Sequence, residues 1–401
     1  MKTISTSVAI VGAGPAGAML AYLLARKGVE VTLIEAQKDF DRDFRGDTLH
    51  PTTLETLDSL GLIEELNQMP HTLMREPILH TPQGIIRPAH MNVVPSKFQY
   101  IMLMPQQDFL SFMTKKAKDF KSFRLLMNTK ADKLILEKDI VKGLVCSSGT
   151  HEWTIKADLI IGADGRFSTI RRLLGKDFEH KDVPADILWF KIPKSASDET
   201  TGIGAFISNG HALVELERHN HWQVGFMIEK GSFPKLKKQG IEHFQKEIIK
   251  LDPSLKKKVT VLKDWDQIGF LPIECGQVEQ WYEDGVLLIG DAAHVMSPVG
   301  GVGINYAIQD AVVAANVLTQ PLLRGTFDTS HLATIQAKRK WPTKTILWFQ
   351  NFAHQRILTT IIDRKRQPSV PFFLKWQWVR NLLIRFLTIG LWRVRIDQDS
   401  S

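Results

Sequence analysis

The chain has 401 residues, of which 44% are hydrophobic and 23% are charged. This composition is typical of a folded globular protein and excludes a disordered, collagen-like or disulfide-stapled chain, and the length predicts two or three domains. The two cysteines, Cys146 and Cys275, form no CxxC pair, which fits a reducing compartment. Redox chemistry in this protein would therefore need a cofactor.

The formal charge of +8 is concentrated at the C-terminal end of the chain. Residues 338–401 contain thirteen Lys or Arg against three Asp, so the rest of the chain is nearly neutral. A nucleic-acid partner would require a basic surface on the folded body. We therefore expect no nucleic-acid partner, and the sequence predicts no metal site.

The N-terminal segment combines an apolar strand with a glycine motif. The predicted strand Val8–Val11 leads into Gly12-Ala-Gly14-Pro-Ala-Gly17, which opens a helix, and a second strand ends at Glu35. In this context Gly12 suits a tight turn, Gly14 admits a pyrophosphate close to the backbone, and Gly17 allows close packing of helix on strand. Glu35 can accept hydrogen bonds from both ribose hydroxyls of an adenosine. The segment therefore predicts a dinucleotide site.

The same glycines decide how the apolar stretch Val8–Leu24 is interpreted. They interrupt it too early for a membrane span, and no small-residue cleavage site for a secretory signal follows. We therefore expect a cytoplasmic protein.

Two further motifs stand far along the chain. One apolar stretch ends at Asp164-Gly165, and another ends at Gly290-Asp291, with a glycine-rich loop over 298–305 after it. An NAD-binding domain needs neither motif. FAD extends well past its pyrophosphate, so its ribityl chain and ring need further contacts. The two motifs therefore favour FAD over NAD as the bound cofactor.

Together these segments resemble the GxGxxG, DG and GD motifs of the class A FAD-dependent aromatic hydroxylases, the para-hydroxybenzoate hydroxylase-like monooxygenases, over about residues 5–320. The resemblance implies an α/β fold with a Rossmann-like FAD-binding domain, an antiparallel-sheet substrate domain and a helical C-terminal region. It implies FAD as the cofactor, with NAD(P)H and O2 as co-substrates. It also implies a monooxygenase that hydroxylates an aromatic or otherwise hydrophobic small molecule through a C4a-hydroperoxyflavin.

The resemblance also assigns residues to the FAD site. Glu35 corresponds to the acid at the adenosine ribose, Asp164 to the acid near the pyrophosphate, and Asp291 to the acid at the ribityl chain. Arg45 corresponds to an arginine near the FAD phosphates, and Gln106, or alternatively Gln107, to a residue in contact with the flavin. The loop at Pro298 would run under the flavin ring. The full predicted set is Gly12, Gly14, Ala16, Gly17, Glu35, Arg45, Gln106, Asp164, Asp291, Pro298, Gly301, Gly303, Ile304 and Asn305.

A catalytic role for His294 is an alternative that the sequence disfavours. Imidazole titrates near neutral pH, but His294 stands in the GDAAH turn, where members of the resembling family carry a histidine packed beside the cofactor. We therefore assign the chemistry to the flavin and predict no side chain as a general base.

The remaining sequence predicts the division into domains. The FAD-binding domain would comprise 1–75, 100–180 and 272–320, the substrate domain 76–99 and 181–271, and a helical basic region 321–401. Alternating patterns predict an antiparallel sheet, with strands at 187–192, 204–207, 213–217, 222–228 and 261–271. Its large apolar side chains are substrate-site candidates, with plain core packing as the alternative; they are Trp189, Phe206, Trp222 and Phe226.

The C-terminal region is predicted to be helical over 306–360. After Pro371, aromatic and aliphatic residues alternate with Lys and Arg, which predicts an amphipathic helix. Such a helix could give the protein a peripheral membrane contact through 371–395, or it could dock on the protein's own core. The sequence leaves both alternatives open, and it does not predict the oligomeric state.

Three other functions compete with hydroxylation. A flavin-dependent halogenase should carry WxWxIP, but residues 188–193 read LWFKIP, with Leu and Phe at the two Trp positions. A geranylgeranyl-reductase-like saturase would share the fold and would consume NAD(P)H without oxygen. A non-catalytic FAD-binding protein would oxidise no NAD(P)H in response to any ligand.

Overall fold

A computed structural model describes residues 2–41, 48–82, 84–195, 198, 202–208, 210–358 and 376–397. Its strands fall into two large and two small sheets. In chain order they are β1 Lys2–Val11, β2 Val31–Ile34, β3 Thr48–Leu49, β4 Thr72–Met74, β5 Ile78–Thr81, β6 Gly84–Ile86, β7 Ile101–Leu103, β8 Phe123–Leu126, β9 Lys130–Glu137, β10 Ile140–Ser148, β11 His151–Gly162, β12 Glu179–Lys181, β13 Ala185–Pro193, β14 Ile203–Ser208, β15 His211–Glu217, β16 His221–Glu229, β17 Gly269–Pro272, β18 Cys275–Gln277, β19 Tyr282–Glu283, β20 Val286–Leu288 and β21 His294–Val295.

The α-helices cover the sheets and build the C-terminal region. In chain order they are α1 Pro15–Arg26, α2 Pro51–Ser59, α3 Ile63–Asn67, α4 Gln106–Ala117, α5 Thr169–Leu173, α6 Phe233–Lys238, α7 Ile241–Leu251, α8 Gly303–Arg324, α9 Thr329–Ala353 and α10 Gln377–Ile389.

The larger sheet is mainly parallel. Its order is β19-β20-β11-β1-β2-β8, with β10 and β9 attached beside β11. Strand β1 runs parallel to β2 and β11, and β11 runs parallel to β20, so the carboxyl ends of these strands meet at one edge. The strand, helix and second strand predicted around the glycine motif are therefore confirmed as β1, α1 and β2.

The second large sheet is mainly antiparallel, in the order β17-β13-β16-β15-β14-β5-β6. Four of the five strands predicted between 181 and 271 lie in it as β13 to β16. The fifth prediction is wrong for its first part, because 3-10 turns occupy Val259–Val261 and Trp265–Gln267 and the strand begins at Gly269. The two sheets confirm the predicted fold class, and the domain boundaries stay a prediction.

The C-terminal region is mostly helical where it is described, but residues 390–397 are not helical. Helices α8 and α9 are followed by a π-helical turn, His354–Leu358, and residues 359–375 lie outside the described residues. Helix α10 packs on the body of the protein, where the ring centroids of Phe386 and Phe349 lie 5.4 Å apart. Docking on the protein's own core is thus observed for α10. None of the helices within the described ranges combines the length and apolar character of a membrane span.

Candidate active site

A cavity of about 1270 Å³ extends from the carboxyl ends of β1, β2 and β11 to the antiparallel sheet. At the first end it is lined by Val11, Glu35 and Ala163, which stand at or just after those strand ends. At the second end it is lined by Trp189 of β13 and Met227 of β16. A single cavity therefore joins the motif residues to the predicted substrate sheet.

The glycine motif forms a cradle that larger side chains could not form. Gly12 has a φ of +100°, and a Cβ there would lie 2.4 Å from the carbonyl oxygen of Ala163. A Cβ on Gly17 would lie 1.9 Å from the carbonyl oxygen of Gly12. Gly14 differs, since a Cβ there would meet only the Ala163 oxygen, at 4.0 Å, and Gly14 lines the cavity. The cradle at the α1 N-terminus fits a pyrophosphate, which backbone N–H groups and the helix dipole favour.

Glu35 stands directly after β2 and is 4% exposed. Its Oε2 accepts a hydrogen bond from the backbone N–H of Ala13 at 2.9 Å, and its Oε1 accepts one from that of Gln37, also at 2.9 Å. The carboxylate therefore fixes the glycine turn, and its oxygens lie beside the cavity where the hydroxyls of an adenosine ribose would bind.

Asp164 lines the cavity and lies in the turn before the short helix α5, which begins at Thr169. Its Oδ1 accepts from the Ser168 hydroxyl at 2.5 Å, and its Oδ2 accepts from the backbone N–H groups of Thr169 at 2.6 Å and Ile170 at 3.1 Å. Burial raises the pKa of Asp164, although these hydrogen bonds act in the opposite direction. The carboxylate thus holds the DG turn and α5 in place at the rim of the cavity.

Asp291 lines the cavity in a 3-10 turn, Gly290–Ala292. This turn rests on a buried charge cluster that the sequence analysis missed. Asp310 of α8 accepts from the backbone N–H of Gly290 at 2.9 Å and from Arg339 Nε at 2.6 Å, and its Oδ2 lies 2.6 Å from His294 Nε2. The neighbouring His294 and Arg339 outweigh burial and hold the pKa of Asp310 at about 2.

A signal for this cluster exists in the sequence. Arg339 shares the buried stripe of α9 with Ile335, Thr343 and Ile346. A cation among apolar residues at helical spacing indicates an internal acidic partner. His294 is only 1% exposed and is hydrogen-bonded to Asp310. Because Asp310 also accepts from the backbone N–H of Gly290, His294 supports the GD turn indirectly, through Asp310.

The loop after Pro298 is tied to the segment around β3. Asn305 Nδ2 donates to the carbonyl oxygens of Thr48 at 3.1 Å and Gly301 at 3.2 Å, and Asn305 Oδ1 accepts from the His50 backbone N–H at 2.8 Å. Asn305 is buried. Its amide therefore shapes the loop, whereas the cavity itself is lined by the loop residues Pro298, Gly301, Gly303 and Ile304.

The other predicted cofactor residues lie as follows. Ala16 of α1 and Gln106, the first residue of α4, both line the cavity. The alternative, Gln107, is exposed. Arg45 lies outside the described residues.

Of the four substrate-site candidates, Trp189 lines the cavity. Its indole ring packs against Gly225 of the neighbouring strand, where a Cβ would come within 2.9 Å of the ring. The other three lie elsewhere. Phe226 is fully buried against Phe244 of α7, Trp222 Nε1 donates to Asp198, and Phe206 stacks on His80.

The chemistry of the lining residues fits FAD. The glycine cradle, the acids Glu35, Asp164 and Asp291, and the loop after Pro298 all line one cavity. Beyond them the cavity continues between apolar walls. Among the described residues, no group of His, Cys, Asp and Glu could hold a metal ion. Cys146 and Cys275 are buried and unpaired with each other.

Comparison with known proteins identifies the family. Residues 5–349 match the family model described as FAD binding domain. The chain is 31% identical to the 6-methylpretetramide 4-monooxygenase of Streptomyces rimosus, in an alignment that covers 98% of this chain and 94% of that protein.

The fold is similar to those of two solved structures. PqsL of Pseudomonas aeruginosa, described as a probable FAD-dependent monooxygenase, has a TM-score of 0.76 at 21% identity, covering 90% of this chain and 98% of that chain. The p-nitrophenol 4-monooxygenase PnpA of Pseudomonas putida DLL-E4 has a TM-score of 0.76 at 19% identity, covering 97% and 95%. With a family match over most of its length and a monooxygenase aligned along nearly all of it, the chain belongs to the FAD-dependent monooxygenases and is an oxidoreductase.

Proposed function

We propose that the protein hydroxylates a neutral, multi-ring aromatic molecule, using NAD(P)H and O2. The observation that carries this proposal is the character of the cavity beyond the FAD segments. Its walls there are apolar, and the charged residues of the lining, Lys130 and Asp132 of β9 among them, lie in the part of the chain predicted to form the FAD-binding domain. The substrate-side walls include Met74, Ile187, Trp189, Ala212, Val214, Leu216, Met227, Leu271 and Met296.

The charge of this chamber argues against a carboxylate substrate. Burial of a carboxylate without a cationic partner is strongly unfavourable. Arg166 of the DG segment donates to the carbonyl oxygen of Pro272 at 3.2 Å, which places it at the boundary between the two ends of the cavity. A neutral ring system instead gains from burial of its apolar surface. The name of the Streptomyces relative, which states 6-methylpretetramide as its substrate, supports a substrate of this class.

FAD, when bound, takes a hydride from NAD(P)H and activates O2 so that one oxygen atom passes to the substrate. The residues of this chain would bind FAD and position the substrate. The glycine cradle and Glu35 would bind the ADP half, Asp291 would hold ribityl hydroxyls, and the 298–304 loop would support the ring. Trp189 and its apolar neighbours would orient the substrate and exclude water from the ring.

The test is a ligand screen on the purified FAD-loaded protein. We expect neutral polycyclic phenols to accelerate NAD(P)H oxidation at least tenfold, and label from isotopic O2 to appear in the product. Carboxylated analogues of the same ring size should fail. Ligand-dependent NAD(P)H oxidation without oxygen, giving a reduced product, would instead identify a saturase. No acceleration by any ligand would favour a non-catalytic flavoprotein.

We also propose a peripheral contact with an anionic membrane through residues 371–395. The side chains of Trp376 and Trp378 are 47% and 64% exposed, and their rings stack on each other with centroids 6.1 Å apart. Exposed tryptophans beside basic residues suit the headgroup region of a bilayer. Such a contact would bring the protein close to a poorly soluble aromatic substrate.

A further inference from the structure

Helix α10 supplies part of the cavity wall. Ile384, Leu387 and Thr388 all line the cavity, and they share one face of the helix at i, i+3 and i+4 spacing. The family match ends at residue 349, so these three residues lie outside the region that the family model describes. The wall they form lies in the C-terminal segment, which the alignment with the Streptomyces relative, over 98% of this chain, largely includes.

Helix α10 is held against the site by specific polar contacts. Arg385 Nε donates to the carbonyl oxygen of Val93 at 2.7 Å, and His50 Nδ1 lies 3.1 Å from the carbonyl oxygen of Leu387. A carbonyl oxygen can only accept, so the Nδ1 of His50 carries the proton. Burial lowers the pKa of His50 to about 4, and the ring therefore stays neutral at physiological pH.

The apolar face of the helix continues into the body of the protein. Ile389 is 8% exposed and packs in a cluster with Met74, Ile101 and Leu103. Met74 and Ile101 also line the cavity. The C-terminal end of α10 therefore packs against residues that line the same cavity, and this packing fixes the position of Ile384, Leu387 and Thr388.

Leu387 lies where the loop expected under the flavin ring meets the substrate chamber. A Cβ on Gly300 would come within 3.1 Å of Leu387 Cδ2, so the leucine packs directly on that loop. Gly300 has a φ of +82°, which the loop needs for its turn. Any ring system that lies over the loop and extends towards α10 would meet this side chain.

We propose that Leu387, with Ile384 beside it, is a specificity-determining residue that sets how long a ring system the chamber accepts. This proposal rests on the proposed function, because it concerns the same site and substrate class. In an apolar chamber, one methylene group more or less changes the discrimination between substrates by roughly 10- to 200-fold. The expected effect is therefore a change in the ratio of specificity constants between ligands of different length.

The experiment compares Leu387→Ala and Leu387→Phe with the parent protein, all as FAD-loaded full-length chains. The ligands are a naphthol, an anthrol and a hydroxytetracene, which extend the same ring system step by step. Leu382→Ala is the matched control, since Leu382 lies on the same helix but is 61% exposed and does not line the cavity. Binding is followed by flavin fluorescence and turnover by ligand-stimulated NAD(P)H oxidation.

We expect Leu387→Ala to raise the preference for the longest over the shortest ligand about tenfold, and Leu387→Phe to lower it. Leu382→Ala should keep the parent's preference. Ratios for both Leu387 variants that stay within twofold of the parent would overturn the proposal, as would an equal change in Leu382→Ala. A different result contradicts the proposed function: the parent protein binds these ligands, but none of them accelerates NAD(P)H oxidation. In that case the binding ratios still decide the role of Leu387.

Discussion

Glu215 predicts a pH dependence of the stability of this protein. It lies on the face of the antiparallel sheet that packs on α7, where it is 8% exposed. Burial is the main cause that raises the pKa of Glu215 to about 8, and the negative charge of the Asp252 carboxylate is the second. The folded protein therefore keeps this carboxyl protonated at neutral pH, whereas the unfolded chain releases the proton above about pH 4.5.

The sign of the effect follows from this difference. The contribution of Glu215 to stability is complete below pH 4.5 and is lost as the pH rises through 8. Glu215→Gln mimics the neutral form, so its free energy of unfolding should exceed that of the parent at pH 8 by roughly 4 kcal/mol. Near pH 4.5 the two should agree. Urea unfolding at both pH values measures this, with the exposed Glu229→Gln as control. Equal stabilities at pH 8 would contradict the raised pKa.

Single residues also show what the sequence could not decide. The alternating pattern predicted β13 and β16, but it could not tell which face of the sheet lines the cavity, because both faces are apolar. Leu188, Phe190 and Phe226 face α7, whereas Trp189 faces the cavity. The helix α7 that covers the other face comes later in the chain, so local periodicity holds no information about it.

At the scale of elements, the turn between β1 and α1 has two separable functions. Gly17 allows the helix to approach the strand, and Gly14 leaves open space beside the cavity. Gly14 has a φ of −71° and an extended ψ, which alanine adopts without strain. The two glycines should therefore respond differently to the same substitution.

We expect Gly17→Ala to destabilise the apoprotein by about 1 to 3 kcal/mol, because its Cβ overlaps the Gly12 carbonyl oxygen. Gly14→Ala should leave the apoprotein as stable as the parent and weaken FAD binding at least tenfold. Thermal unfolding of the apoprotein and titration with FAD measure the two effects. Full FAD affinity in Gly14→Ala would show that the pyrophosphate binds elsewhere.

The elements around the three motifs were predictable because each motif joins a strand end to a turn with a fixed chemical purpose. The stretch 261–271 was not predictable in the same way. Its apolar residues follow a strand-like pattern, but Asp264 caps a 3-10 turn through a capping box with Gln267, so a local hydrogen-bond pattern replaced the ladder. Strand β17 begins only after this turn.

At the scale of the whole molecule, the site is assembled from distant parts of the chain. Motifs from both halves of the parallel sheet meet at one end of the cavity, and the antiparallel sheet and α10 close the other. The convergence of the motifs was predictable from the resemblance. The contribution of α10 was not, since an amphipathic helix with basic residues suits a membrane surface and a protein core equally well.

Part of the basic surplus of the C-terminal region is engaged in contacts with other residues of the chain, one in the interior and two at the surface. Arg339 pairs with buried Asp310, Lys340 pairs with Glu279, and Arg385 binds a backbone carbonyl group. These contacts leave fewer cations for an anionic surface than the sequence suggests. A membrane contact of this protein should therefore be weak and should depend strongly on salt.

The double variant Trp376→Ser, Trp378→Ser tests this contact. We expect the parent to sediment with vesicles that contain phosphatidylserine but not with neutral phosphatidylcholine vesicles, and high salt should release it. The double variant should bind several-fold more weakly, because the rings no longer enter the headgroup region. Trp341→Ser is the control, since Trp341 is 69% exposed on α9 outside this segment. If the parent protein does not sediment with anionic vesicles, the proposed membrane contact is wrong. Helix α10 would then serve only as part of the wall of the cavity.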